Sequence, residues 1–175
     1  MSEVLNAIAK RSSTRGYTEQ KLTKEELDQL VLAGLQAPTA ANRQEIHITV
    51  VDGDNPILKE IEDTKNQSME QLPQNNFYYG APTVLILSGD AGFYWSKVDA
   101  GIAVENIAIA AEGMGLGSLI IGCIKDALSG PKKEYFANAL KFPEGYEYEI
   151  AIALGYKAVS KEPHEFDADK QVSYL

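Results

Sequence analysis

The longest apolar stretch, Ser96 to Gly122 (SKVDAGIAVENIAIAAEGMGLGSLIIG), reads as one helix, a glycine-rich turn and a short buried strand. At about 100° per residue, Asp99 and Asn106 fall on one narrow seam and Glu105 and Glu112 on a second. Nearly all the remaining circumference is Ala, Gly, Val or Ile, the mark of a buried helix. Ser96 and Asp99 have the spacing of a capping box at its start, and Gly113, Gly115 and Gly117 mark its end. The resulting length of about 17 residues, roughly 25 Å, makes a poor membrane span. A buried central helix needs cover on every side, which one small domain supplies with difficulty. A second copy would complete it, so a dimer with this helix in its core is expected.

Other segments follow in the same way. Ser2 caps a first helix with Val4, Leu5 and Ile8 on one face. Thr23 and Glu26 form a capping box ahead of Leu27, Leu30, Val31 and Leu35, and Pro38 stops that helix. Alternation predicts a strand over 46–51, with His47 on the face opposite Ile46, Ile48 and Val50. Asn55 and Pro56 open a helix carrying Leu58, Ile61 and Met69. Phe77, Tyr78, Tyr79 and Pro82 then either line a pocket mouth or pack. Thr83 to Leu87 reads as a buried strand, Pro131 to Leu140 as a short helix, and Tyr146 to Leu154 as a half-buried alternating strand after the turn Pro143-Glu144-Gly145. Four strands among about five helices, without regular strand-helix-strand alternation, predict α+β layers. No internal repeat or linker interrupts residues 1–175, so a single domain is expected, with a polar tail from about 156 to 175 that frays or lies on a partner.

Composition narrows the class. Apolar content of 45% and charged content of 23% are those of a globular chain. A net charge of −9 disfavours nucleic acid or an anionic membrane as main partner, without forbidding an anionic cofactor in a locally basic pocket. One cysteine, Cys123, forms no internal disulfide, and the N-terminus lacks the apolar core of a signal peptide, so a cytoplasmic protein is expected. Two histidines and one cysteine far apart give no metal cluster, and no spacing suggests a catalytic triad. Cys123 reads as a buried inert thiol, His47 as structural.

Three stretches carry candidate chemistry. Arg11, Ser12, Ser13, Thr14 and Arg15 gather two guanidinium groups and three hydroxyls with no carboxylate nearby in sequence, which suits a phosphate or, equally, a solvated helix end. Pro38, Thr39, Ala40, Asn42, Arg43 and Gln44 make a loop of small residues, amides and one guanidinium, able to read the edge of a uracil-like ring or serving as an ordinary connection. Gly117 to Gly122 is a strand of low bulk where a flat ligand can approach backbone N–H groups. It is not a dinucleotide fingerprint, because the glycines follow a helix.

Together RSSTRGY, APTAANRQ and the Asp99 helix with its Gly-Leu-Gly-Ser turn resemble the FMN-dependent nitroreductase family over nearly the whole chain. The resemblance implies an α+β fold, a mixed sheet flanked by helices, in an intertwined homodimer with two FMN molecules in the interface. Arg11 and Ser13, with Ser12 beside them, would hold the FMN phosphate, and Arg15 would lie near the ribityl chain or the pyrimidine end. Pro38, Thr39, Ala40, Asn42 and Gln44 would approach from the other subunit. Ile121 and Gly122 would border the ring with backbone groups, and no side chain need act as nucleophile. The implied activity is NAD(P)H-dependent reduction of nitroaromatic, quinone or related small-molecule acceptors by a ping-pong mechanism, with NADH or NADPH as co-substrate. A non-catalytic FMN storage or sensing protein and a flavin-free dimeric scaffold are the competing readings. Two departures stand out: Glu45 and Ile46 follow Gln44 where the family has Pro-Trp, and the C-terminal phosphate-binding Arg has no clear counterpart, Lys161 or His164 being the stand-ins.

Overall fold

The computed structural model describes residues 2–67 and 76–175. In chain order the elements are α1 (Glu3–Lys10), α2 (Lys24–Leu35), a 3-10 turn at Ala40–Asn42, β1 (His47–Asp52), α3 (Pro56–Gln67), β2 (Thr83–Asp90), α4 (Ser96–Gly113), β3 (Gly117–Ile121), α5 (Lys125–Leu128), α6 (Lys133–Ala139), β4 (Tyr146–Gly155) and α7 (Ala168–Gln171). The strands form one sheet in the order β1-β2-β4-β3, antiparallel at each step. Its parallel component is a single bridge from Ser13 to Ser118 on the β3 edge.

Helices cover both faces, giving the expected α+β layers. On one face α2 and α4 bring Leu30, Ile107 and Ala108 against Leu85, Leu87, Ile152 and Leu154. On the other, α3, α5 and α6 set Ile61, Leu128 and Phe136 against Val84, Ile86, Ala151 and Ala153. Enclosed on both sides, β2 is apolar from Val84 to Leu87 and buried through Gly89.

Helix α2 starts as its sequence requires: Thr23 Oγ1 accepts from Glu26 N–H at 3.2 Å, and the Glu26 carboxylate accepts from Thr23 N–H at 2.7 Å. No such box forms on α4. Trp95 precedes the helix without a side-chain cap, Ser96 Oγ–H donates to the Asp90 carbonyl at 2.8 Å, and Asp99 accepts from Ala40 N–H at 3.0 Å. Both side chains are buried, and backbone groups from other segments, which must be satisfied there, win over the local cap. Within the chain α4 is covered on one side only. Ala100, Ala103, Val104, Ile107 and Ala111 are buried, while Val98 and Ile102 on the opposite side remain 49% and 37% exposed. The apolar face of α1 is also open, with Val4, Leu5 and Ile8 about half exposed or more.

Strand β4 departs from simple alternation. Leu87 pairs with Ile150 but Ser88 pairs with Tyr148, so Glu149 is an extra residue in a bulge. Tyr148 consequently packs with the α3/α5/α6 layer, while Ile150, Ile152 and Leu154 face α4. The short helix α5 is not predicted from the pattern. Phe77 and Tyr78 are core residues and pack rather than line a mouth, whereas Met69 lies outside the described residues. Beyond β4 the chain first returns to its own N-terminal segment: Tyr156 OH donates to Glu26 at 2.6 Å and Ala158 N–H donates to Gly16 O at 3.0 Å. From Val159 onward it is largely exposed.

Candidate functional site

The end of α1 delivers residues 11–14 to the sheet edge. Arg11 closes the helix through its N–H to Ala7 O, Ser13 bridges Ser118, and Thr14 N–H donates to Ser118 O at 2.9 Å. Thr14 is buried, its Oγ1 has no hydrogen-bond partner among the described residues, and it lies against Gly117, where a Cβ would come within 2.7 Å of that oxygen. Main-chain pairing with an edge strand therefore fixes this segment. It leaves Arg11 and Ser13 half-buried at the surface and Arg15 exposed.

A carboxylate does lie near these donors, contrary to what the local sequence predicts. Glu105 of α4 sits 3.6 Å from Arg11 Nε. The pair is long and partly exposed, so it contributes little and yields readily to a better-placed anion. Ser12 Oγ–H donates to the Lys161 carbonyl at 2.8 Å, which ties the tail to this segment by backbone, the Lys161 residue itself being exposed.

The 38–44 loop occupies another side of α4. Ala41, Asn42 and Gln44 adopt left-handed φ angles of 53°, 52° and 53°. Gln44 N–H donates to Thr39 Oγ1 at 2.9 Å, and Gln44 Nε2 donates to Asn42 Oδ1 at 3.1 Å, so both amide side chains are held within the loop. Arg43 pairs with Asp90 at 3.0 Å and stacks over Phe93 at 4.1 Å.

At the end of β3, the Ile121 carbonyl accepts from the buried Tyr148 hydroxyl at 2.7 Å, and the Ile121 side chain is in the core. Gly122 differs. Among the described residues a Cβ there would touch only Ile150 Cδ1, at 3.8 Å, so its backbone borders open space. Cys123 is an exposed residue, not a buried one, yet the neighbouring chain desolvates its sulfur enough to push the thiol pKa up, which keeps it protonated and a weak nucleophile at neutral pH. His47 is half-buried, 3.5 Å from Ser88 Oγ, its pKa lowered by burial.

Sequence reading misses two carboxyls. Glu45 is buried beside Asp99, and burial raises its pKa, assisted by Asp99. Glu149, turned inward by the bulge, is pushed up to about 7 by burial first and by Glu147, with Lys97 and Lys125 opposing. Glu45 carries no pattern signal; for Glu149 the signal is faint, a charge inside an alternating strand.

The donors fit a phosphorylated, flat cofactor by their chemistry: guanidinium and hydroxyl groups on one side of α4, amides and strained backbone on another, a bare glycine backbone at the end of β3. Among the described residues no group of His, Cys, Asp or Glu is arranged to hold a metal, and no helix is long and apolar enough to cross a membrane.

Layers and sheet order together define a known class of α+β proteins. The model of the nitroreductase family matches residues 8–156. A nitroreductase of Desulfitobacterium hafniense, solved with bound FMN, superposes with a TM-score of 0.89 at 32% identity, over 100% of this chain and 99% of that one. A nitroreductase of Bacteroides fragilis, also with bound FMN, gives 0.86 at 26% identity over 100% of both chains. An FMN reductase (NADPH) of Bacillus subtilis is 27% identical over 180 residues, covering 90% of this chain and 67% of its own length. The chain belongs to the nitroreductase family.

Proposed function

We propose that this protein is an FMN-dependent oxidoreductase that takes reducing equivalents from NADH or NADPH and passes them to a nitroaromatic, quinone or related small acceptor in ping-pong fashion, working as a homodimer. The observation that carries the reading is the pinning of the Arg11–Ser13 donors to β3, in a fold shared over its full length with nitroreductases that bind FMN.

Bound FMN supplies the two-electron redox chemistry. The chain's residues bind and orient it. Arg11, Ser12 and Ser13 hold the phosphate, and Lys161, tied to Ser12 through its backbone, stands at the same place. Arg15 would lie near the ribityl chain or the pyrimidine end, where a positive charge lowers the cost of adding negative charge. Gly122 and the end of Ile121 border the ring, while Pro38, Thr39, Ala40, Asn42 and Gln44 come from the second copy.

Geometry supports two copies per site. Asp99, which holds the loop, and Glu105, which touches Arg11, are six residues apart on α4. They therefore point about 120° apart around the helix, and the two donor sets diverge within one chain. The open apolar faces of α1 and α4 provide a surface for the second copy, and the exposed tail beyond Lys161 would lie over it.

The test is spectroscopic. Protein reconstituted with FMN and desalted should retain the flavin absorbance and bleach within seconds on anaerobic addition of NADH or NADPH. Retained colour that does not bleach would move the reading to storage or sensing; absence of retained flavin would end it.

A further inference from the structure

Glu45 is 7% exposed, and among the described residues its carboxyl finds no donor on another residue, only its own N–H. The group it faces is another carboxyl, that of Asp99, itself 2% exposed. Asp99 already spends Oδ2 on the Ala40 N–H at 3.0 Å. Two facing buried carboxylates are costly when both are ionised, and one proton shared between them removes the repulsion and satisfies an orphan oxygen. The charged groups acting on Glu45 are Asp99 from α4 and Arg43 from the loop. The Arg43 guanidinium is committed to Asp90 and the Phe93 ring, so it does not take the place of that proton.

We propose that Glu45 is a positioning residue: in its protonated form it donates a hydrogen bond to Asp99, steadies Asp99 on the Ala40 N–H, and so latches the 38–44 loop. The loop needs such a latch. Three of its residues sit in the left-handed region, which side chains disfavour, and Asp99 is its tie to α4. Loss of the proton sets two negative charges against each other, Asp99 withdraws, and the loop relaxes. Burial, aided by the facing Asp99, outweighs the opposing hydrogen bond from Glu45's own N–H and raises its pKa, so the proton is retained above the ordinary glutamate range and the latch fails as pH rises through the raised value.

The latch belongs to the chain without ligand; only its effect on FMN rests on the function proposed above. Its test is a carboxyl carbon NMR titration of the flavin-free wild-type protein, combined with the protection factor of the Ala40 amide over the same pH range. Glu45 should titrate above the ordinary range and Ala40 should lose protection with the same midpoint. Glu45→Gln, whose amide donates to Asp99 at any pH, should keep Ala40 protected throughout, and Asp99→Asn should return the Glu45 titration toward ordinary values. The FMN dissociation constant of wild type should rise about tenfold one pH unit above the midpoint and should not show that rise in Glu45→Gln. Glu45 titrating as an ordinary glutamate, or Ala40 losing protection equally in Glu45→Gln, overturns the proposal. The expected titration and protection with no matching change in FMN affinity upholds the latch and removes the loop from the flavin site.

Discussion

Residues 11–14 reach the sheet through main-chain pairing, Ser13 bridging Ser118 and Thr14 N–H donating to Ser118 O, whereas residues 38–44 are joined to α4 through one amide–carboxylate contact, Ala40 to Asp99. The first segment sits in ordinary conformations and closes a helix; the second carries three left-handed residues. Two parts of the proposed site are thus built to different tolerances. Backbone pairing has no titratable partner and resists side-chain change, while a loop held through carboxyls responds to protons and to single substitutions.

The largest effect should come from attacking the rigid segment at its packing. Gly117→Val places a branched side chain where even a Cβ meets Thr14 Oγ1 at 2.7 Å, Thr14 Cγ2 at 2.8 Å and Lys157 Cγ at 2.9 Å. A loss of about 2–3 kcal/mol in denaturant unfolding is expected; an unchanged midpoint would mean that residues 13–14 are loosely seated. Arg11→Ala leaves the Ser13–Ser118 bridge intact, so the fold should keep its stability while FMN binds about 10–100-fold more weakly, the worth of a charge-assisted contact. Flavin occupancy surviving dialysis unchanged would remove Arg11 from the phosphate.

A smaller effect separates protons at the loop from protons at the bulge. Glu149 has a folded-state pKa of about 7, above its ordinary 4.5, so the stability it confers is complete below about 4.5 and is lost as pH rises through 7. Glu149→Gln should therefore melt a few degrees higher than wild type at pH 8 and show no such gain at pH 5. Equal differences at both pH values would assign the effect to packing. The smallest change is Ala41→Gly, which relieves a left-handed alanine at φ 53° and should stabilise by about 0.5 kcal/mol, after allowing for the freer unfolded chain. Destabilisation would show that the alanine methyl packs usefully.

Much of the scaffold is legible in local spacing. The Thr23–Glu26 box, the buried β2 run and the Ala-rich α4 are each set by neighbours within a few residues, and each appears close to its expected bounds. The donors of 11–15 are legible for the same reason. Asp99 is not, because capping-box spacing says nothing of a backbone amide arriving from Ala40. Glu105 beside Arg11 and Glu45 beside Asp99 are tertiary juxtapositions with no local trace. The reversal of faces along β4 also escapes, since an extra residue in a strand is defined only by the register of its neighbour.

That extra residue bears on how the chain tolerates changes of length. With Glu149 removed, Tyr148 and Ile150 become consecutive and alternate naturally, each keeping its present partner, Ser88 or Leu87, and its present side of the sheet. A deletion away from the bulge would carry the side chains on one side of the cut across the sheet, from one core layer to the other, and removal of Tyr148 or Ile150 would set Glu149 in a core place. Along this strand Glu149 is the place where the sequence can shorten by one residue and still fold.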